Sequence, residues 1–165
     1  MHEALIRQLD EAVTEVFTVM LNLACTSEPA PPQTLDVPHL RSGTIGPKLG
    51  NDQTFTASVL FSGPLEGRCC IQIEERTATE LTANLMGMPP CEISPDLCAD
   101  TAGELCNMIA GCWKKRYPSD LAASLLSCPI VNVGFCNHAI DAFREDVTVL
   151  YRFDGHHVTL RLAFN

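Results

Sequence analysis

Over the first 24 residues the hydrophobic positions Leu5, Leu9, Val13, Val16, Met20 and Leu23 recur at three- and four-residue steps. That spacing predicts one amphipathic helix from His2 to about Ala24. The stretch SEPAPPQ then places three prolines in seven residues, which ends the helix and predicts a short stiff connector. Residues 34–75 read as strands. Thr54–Phe61 alternates, with Phe55, Ala57, Val59 and Phe61 to one side, and a Ser62-Gly63-Pro64 turn leads into Gly67–Glu74. An earlier strand over Leu35–Leu40 would carry Pro38 and so belong at a sheet edge.

A second helix is expected from Thr77, where Thr77 and Glu80 have the spacing of a capping box and Leu81, Leu85 and Met86 line one side. Gly87 and then Pro89-Pro90 stop it. The third helix has the clearest start in the chain: Ser94 as N-cap, Pro95 as first helical residue and Asp96 at the positive end of the dipole. It should run to about Tyr117, before Pro118. A strand over Pro129–Phe135 and a hairpin pairing DVTVLYRF with HHVTLRLAF around Asp154-Gly155 complete the series. Strands bunch instead of alternating with helices, so the expected class is α+β: a two-layer sandwich, with helices on one face of an antiparallel sheet.

At 165 residues the chain fits a single domain, 1–165, able to close one core without disulfide or metal. No apolar run approaches the roughly 20 residues a membrane helix needs. The start MHEALIRQLDEAV carries acids where a secretory signal would be apolar, so a cytoplasmic location is expected. The net charge is −9 and the pI about 4.9, and the one basic run is Lys114-Lys115-Arg116, suited to a helix carboxyl end. Nucleic acids and anionic membranes are therefore poor partners, because binding them relies on clustered Lys and Arg.

The nine cysteines show no Cys-x-x-Cys pair, are odd in number and mostly sit in apolar patterns, which reads as buried reduced thiols and not as a metal or disulfide framework. His156-His157 follows the Asp-Gly turn and reads as a solvated turn.

The third helix carries the candidate chemistry. At about 100° per residue, Asp100, Glu104, Asn107 and Gly111 fall within roughly 60° of one another. Beside them lies an apolar face of Leu97, Thr101, Leu105, Met108, Ile109, Cys112 and Trp113. Asn costs a helix interior several tenths of a kcal/mol against Ala, and Gly about 1 kcal/mol. Two such choices on one stripe point to a surface meant to be approached closely. A solvated helix edge could carry the same residues, since Glu-x-x-Asn also arises by chance.

The stretch DTAGELCNMIAG, residues 100–111, resembles the signature helix of the CheC/CheX/FliY family of chemotaxis phosphatases. That motif of Asp or Ser, three residues, Glu, two residues, Asn is met at Asp100, Glu104 and Asn107. FSGPLEGRCCIQIEERTATELTANLMGMP, residues 61–89, is similar to the elements before the motif, and PIVNVG, 129–134, to the strand after it. The resemblance implies the CheC/CheX-like fold and a phosphatase acting on the aspartyl phosphate of a phosphorylated CheY-like response regulator. It implies that Asn107 orients the attacking water, that Glu104 pairs with the regulator's lysine, and that Asp100 and Gly111 support docking. No cofactor would be bound by this chain, and Mg2+ would belong to the regulator.

In CheC-type members the first helix repeats the motif. Here it has Glu11 with Thr14 and Glu15 with Thr18, which resembles the single-site CheX arrangement and implies a homodimer. Two rival readings stay open. One is a non-catalytic module of the same fold that binds a receiver domain or other signalling protein. The other is a free-standing enzyme pairing a Cys or Ser with His138, His156 or His157. The second lacks both a Gly-x-Ser-x-Gly elbow and a cysteine in an electropositive setting.

Overall fold

A computed structural model describes residues 2–29, 53–64, 66–116, 124–133, 143 and 145–165. Helix α1 (His2–Leu21) is followed by strands β1 (Thr26–Pro29), β2 (Thr54–Ser62) and β3 (Gly67–Glu74). Helix α2 (Glu75–Met86), a 3-10 turn at Pro90–Glu92 and helix α3 (Pro95–Arg116) come next. Strands β4 (Leu125–Leu126), β5 (Ile130–Val133), β6 (Glu145–Phe153) and β7 (His156–Phe164) follow. The strand expected over Leu35–Leu40, residues 134 and 135 of the expected strand after α3, Tyr117, Cys136, His138 and the side chain of Leu5 lie outside the described residues.

The seven described strands form one antiparallel sheet in the order β1-β6-β7-β3-β2, with β4 and β5 both pairing with β2 at the far edge. Period-two alternation sends every second side chain to the same face. Phe55, Ala57, Val59 and Phe61 of β2, Cys69, Ile71 and Ile73 of β3, and Val158, Leu160, Leu162 and Phe164 of β7 are all buried on one side. The three helices close that side: Leu9, Val13, Val16 and Phe17 of α1, Leu81 of α2, and Leu105, Cys106, Ile109 and Trp113 of α3 join the same core. The expected α+β sandwich is the observed fold. The β6–β7 turn has Asp154 at φ 44° and Gly155 at φ 79°, the double left-handed geometry that matches strand twist in a two-residue hairpin.

Several local expectations are corrected. Helix α1 stops at Leu21, because Asn22 turns left-handed (φ 52°), a conformation asparagine tolerates. Met20 is exposed, and Ala12, Phe17 and Leu21 fill the core in its place. Part of the proline-rich connector is strand β1, paired with β6; Pro29 fits there because an edge strand needs donors on one side only. Helix α2 begins two residues before Thr77. That threonine caps nothing: it is buried, with its hydroxyl 3.3 Å from His156 Nδ1. Met86, expected on the apolar side of α2, is exposed. The two-residue strand β4 was too short to show in the periodicity.

Candidate functional site: the outer face of helix α3

Helix α3 is held against the sheet at three levels, Gly103, Cys106 and Trp113. Its start is capped as expected, Ser94 Oγ accepting from the Leu97 N–H at 3.3 Å. The Cys106 thiol donates to the carbonyls of Ala57 (3.6 Å) and Cys69 (3.5 Å), and the Trp113 ring lies 5.6 Å from that of Phe61. Because Cys106 sits at the level of Ala57 and Trp113 at that of Phe61, α3 runs in the same direction as β2. The core-facing arc is broader than the sequence pattern: Cys98, Ala102 and Ala110 are buried beside Leu105, Ile109 and Trp113, whereas Leu97, Met108 and Cys112 are only half-buried.

That arc fixes the direction of the opposite face. On a helical wheel Asp100, Glu104, Asn107 and Gly111 centre about 170° from the core-facing direction, straight away from the sheet. Asp100 and Glu104 are exposed and Asn107 is half-buried at the surface. None of the three has a hydrogen-bond or ion-pair partner among the described residues. A Cβ placed on Gly111 would meet nothing within 4 Å, so the helix is bare at that end of the strip. All four predicted positions therefore share one open surface. Such a surface can present a carboxylate and a carboxamide, about one turn apart, to another molecule; among the described residues it has no walls with which to enclose a small substrate.

Sequence reasoning missed Gly103, one residue before Glu104. A Cβ there would lie 3.1 Å from Val131 Cγ2 and 3.6 Å from Pro129, so the glycine lets the edge strand β5 close against α3. An interior helix glycine off the polar strip was the available signal.

Other elements locate the remaining candidates. Lys114, Lys115 and Arg116 form the last turn of α3 as expected. Arg116 is ion-paired with Glu15 and lies 3.7 Å from Glu11, so both acids of α1 face a cation of this same chain. This contact holds the Glu15 carboxyl below the usual glutamate range and raises the guanidinium. His156 and His157 are not turn residues: they begin β7 and are half-buried. His156 stacks on Phe153 and, with Leu23, Glu80, Asn84 and Asp154, lines a cavity of about 400 Å³. No serine or cysteine lines that cavity among the described residues, so His156 has no nucleophile to activate there.

Of the eight described cysteines, Cys69, Cys70, Cys98 and Cys106 are buried and Cys25 and Cys112 half-buried; Cys91 and Cys128 are exposed, contrary to the general expectation. Among the described residues, no three His, Cys, Asp or Glu side chains are grouped to hold a metal, and no helix is long and apolar enough to cross a membrane.

The family model described as chemotaxis phosphatase CheX matches residues 55–134, from β2 through α3 and β5. Over that segment the chain is similar to the CheC/CheX family. Solved structures agree in fold over nearly the whole chain. CheX from Vibrio vulnificus is 16% identical with a TM-score of 0.64, covering 98% of this chain and 96% of its own. CheX from Desulfovibrio desulfuricans is 15% identical with a TM-score of 0.65, covering 98% and 99%. The CheX–CheY–BeF3–Mg complex from Borrelia burgdorferi matches at 17% identity and a TM-score of 0.64, covering 97% of each chain. At these identities the structures speak to the CheX fold alone. No curated protein matches the chain.

Proposed function

We propose that this chain is a CheX-type phosphatase that accelerates hydrolysis of the aspartyl phosphate on a CheY-like response regulator, presenting α3 to the regulator's phosphorylated pocket. The observation that carries the reading is the Glu104/Asn107 pair: outward on a fixed helix, without partners among the described residues, and bordered by a bare Gly111. Support also comes from the CheX–CheY complex of a structural relative.

The chemistry is in-line attack by water on phosphorus. The new P–O bond forms as the bond to the aspartyl oxygen breaks, releasing inorganic phosphate and the free carboxylate. Positioning dominates such a step. A neutral carboxamide is not repelled by phosphoryl oxygens and can accept from water while donating elsewhere, so Asn107 orients the nucleophile. Glu104 would repel the same oxygens unless it met a cation, and it pairs with the regulator's lysine. Asp100 supports docking one turn away, and Gly111 lets the regulator's backbone come close. Mg2+ belongs to the regulator. The chain acts in the cytosol as a homodimer.

The test is loss of phosphate from a phosphorylated receiver domain with and without the chain. Asn107→Ala is expected to lower the acceleration by on the order of 100-fold or more, while binding to the beryllofluoride-loaded receiver survives. Association without acceleration by the unaltered chain would replace this reading with that of a binding module.

A further inference from the structure

The strip on α3 does not end at the helix. Gly103 brings β5 alongside it, and the register of the edge strand decides what β5 offers. Directly opposed residues of an antiparallel pair point to the same face. Val131 lies opposite Ala57 and Val133 opposite Phe55, both core-side residues, so Val131 and Val133 point to the helix side. Val131 is half-buried against Gly103, whereas Val133 is 57% exposed and Pro129 is also exposed.

Since α3 runs with β2 and β5 runs against it, the two elements are antiparallel neighbours. Val133, some 6–7 Å beyond Val131, flanks the strip on its Asp100 side. Pro129 flanks it on the side of Asn107, the member of the strip that leans towards Gly103 by about 40° on the wheel. An apolar ledge thus adjoins a polar comb on one continuous surface.

Energetics gives the ledge a purpose. An ion pair carried into the pocket, as one at Glu104 would be, loses hydration on docking and so serves orientation more dependably than affinity. Protein interfaces draw their affinity from a few desolvated apolar contacts, with polar groups setting orientation. We infer that Pro129 and Val133 form the affinity-determining part of the receiver-docking surface, seated against an apolar patch beside the receiver's phosphorylation pocket, while Glu104 and Asn107 act inside that pocket. This rests on the receiver being the partner of α3.

The experiment titrates the full chain with a CheY-type receiver loaded with beryllofluoride and Mg2+, alongside turnover of the phosphorylated receiver. Val133→Asp is expected to weaken affinity about tenfold or more and to raise KM, with kcat at saturation retained. Val133→Thr, which keeps the β-branched shape that strand pairing favours, should weaken affinity less and shows whether the edge strand still folds. Equal affinity of Val133→Asp and the unaltered chain overturns the inference. So does conversion of a dimer to monomers by Val133→Asp with receiver affinity unchanged, which would make the ledge a contact between copies. If a receiver binds and Val133→Asp weakens it, but no turnover is seen with any variant, the ledge stands and the catalytic reading falls. No association of the unaltered chain with a panel of such receivers overturns both.

Discussion

Arg116, the last residue of α3, is ion-paired with Glu15 of α1, and the two helices are tied at the carboxyl end of the candidate site helix. The pair has a second effect. The Glu11/Thr14 and Glu15/Thr18 spacings on α1 resemble half of the α3 motif, yet the guanidinium already faces both acids. Of these motif-like acids, the α3 pair Asp100 and Glu104 is the one without an ion-pair partner among the described residues and so left to meet an external cation.

The pH dependence of this tie follows from its sign. The Glu15 carboxyl is held below the ordinary glutamate range by the Arg116 hydrogen bond and charge. A lowered folded-state pKa contributes stability above the unfolded value, and that contribution is lost as pH falls through the folded value. Arg116→Ala should therefore lower the melting temperature slightly at neutral pH. The gap from the unaltered chain should narrow in acid and at high salt, because an exposed pair is screened. Melts followed by circular dichroism from neutral pH down to about 3 check this; a gap that widens in acid contradicts it.

Gly111 allows stability and docking to be separated. A methyl group there meets nothing, and alanine is the better helix former by about 1 kcal/mol. Gly111→Ala should raise the melting temperature by several degrees, given about 2–4 °C per kcal/mol for a chain of this size. If the strip receives another protein's backbone closely, the same variant should weaken receiver binding severalfold. Gain in one measurement and loss in the other is the expected pattern; a gain in both removes Gly111 from the docking surface.

Thiol chemistry reports the packing. Burial pushes the Cys70 thiol up to about 12, and Cys69, in contact with Cys106 in the core, is raised well above the ordinary range. The thiolate is the reactive form. In the native chain at about pH 8, iodoacetamide should modify the exposed Cys91 and Cys128 well before Cys69, Cys70, Cys98 or Cys106, which need unfolding. Peptide mapping by mass spectrometry distinguishes the two groups, and early labelling of Cys69 or Cys106 would contradict the packing.

The sequence pattern served best where one interaction dominates. The β6–β7 hairpin alternates strictly around Asp154-Gly155, and α3 opens on Ser94-Pro95-Asp96, so the hairpin and the start of α3 agree with the structure. The polar strip was legible because it lies opposite a wide apolar arc. What stayed hidden depends on contacts distant in sequence. Thr77 satisfies a capping spacing, but His156 claims its hydroxyl. Pro29 argues against a strand until β6 shows that, among the described residues, only one side of β1 is paired. Gly103 is an ordinary helix glycine until β5 is laid against it.

The three-level anchoring of α3 has a thermodynamic corollary. With Gly103 against Val131, Cys106 bonded to two strand carbonyls and Trp113 beside Phe61, the helix backbone has little freedom left to surrender. Glu104 and Asn107 keep a fixed separation, and only their side-chain torsions remain to be settled on contact. The conformational entropy of association then falls on whatever comes to the helix: the visitor's loops must adjust, because the comb cannot.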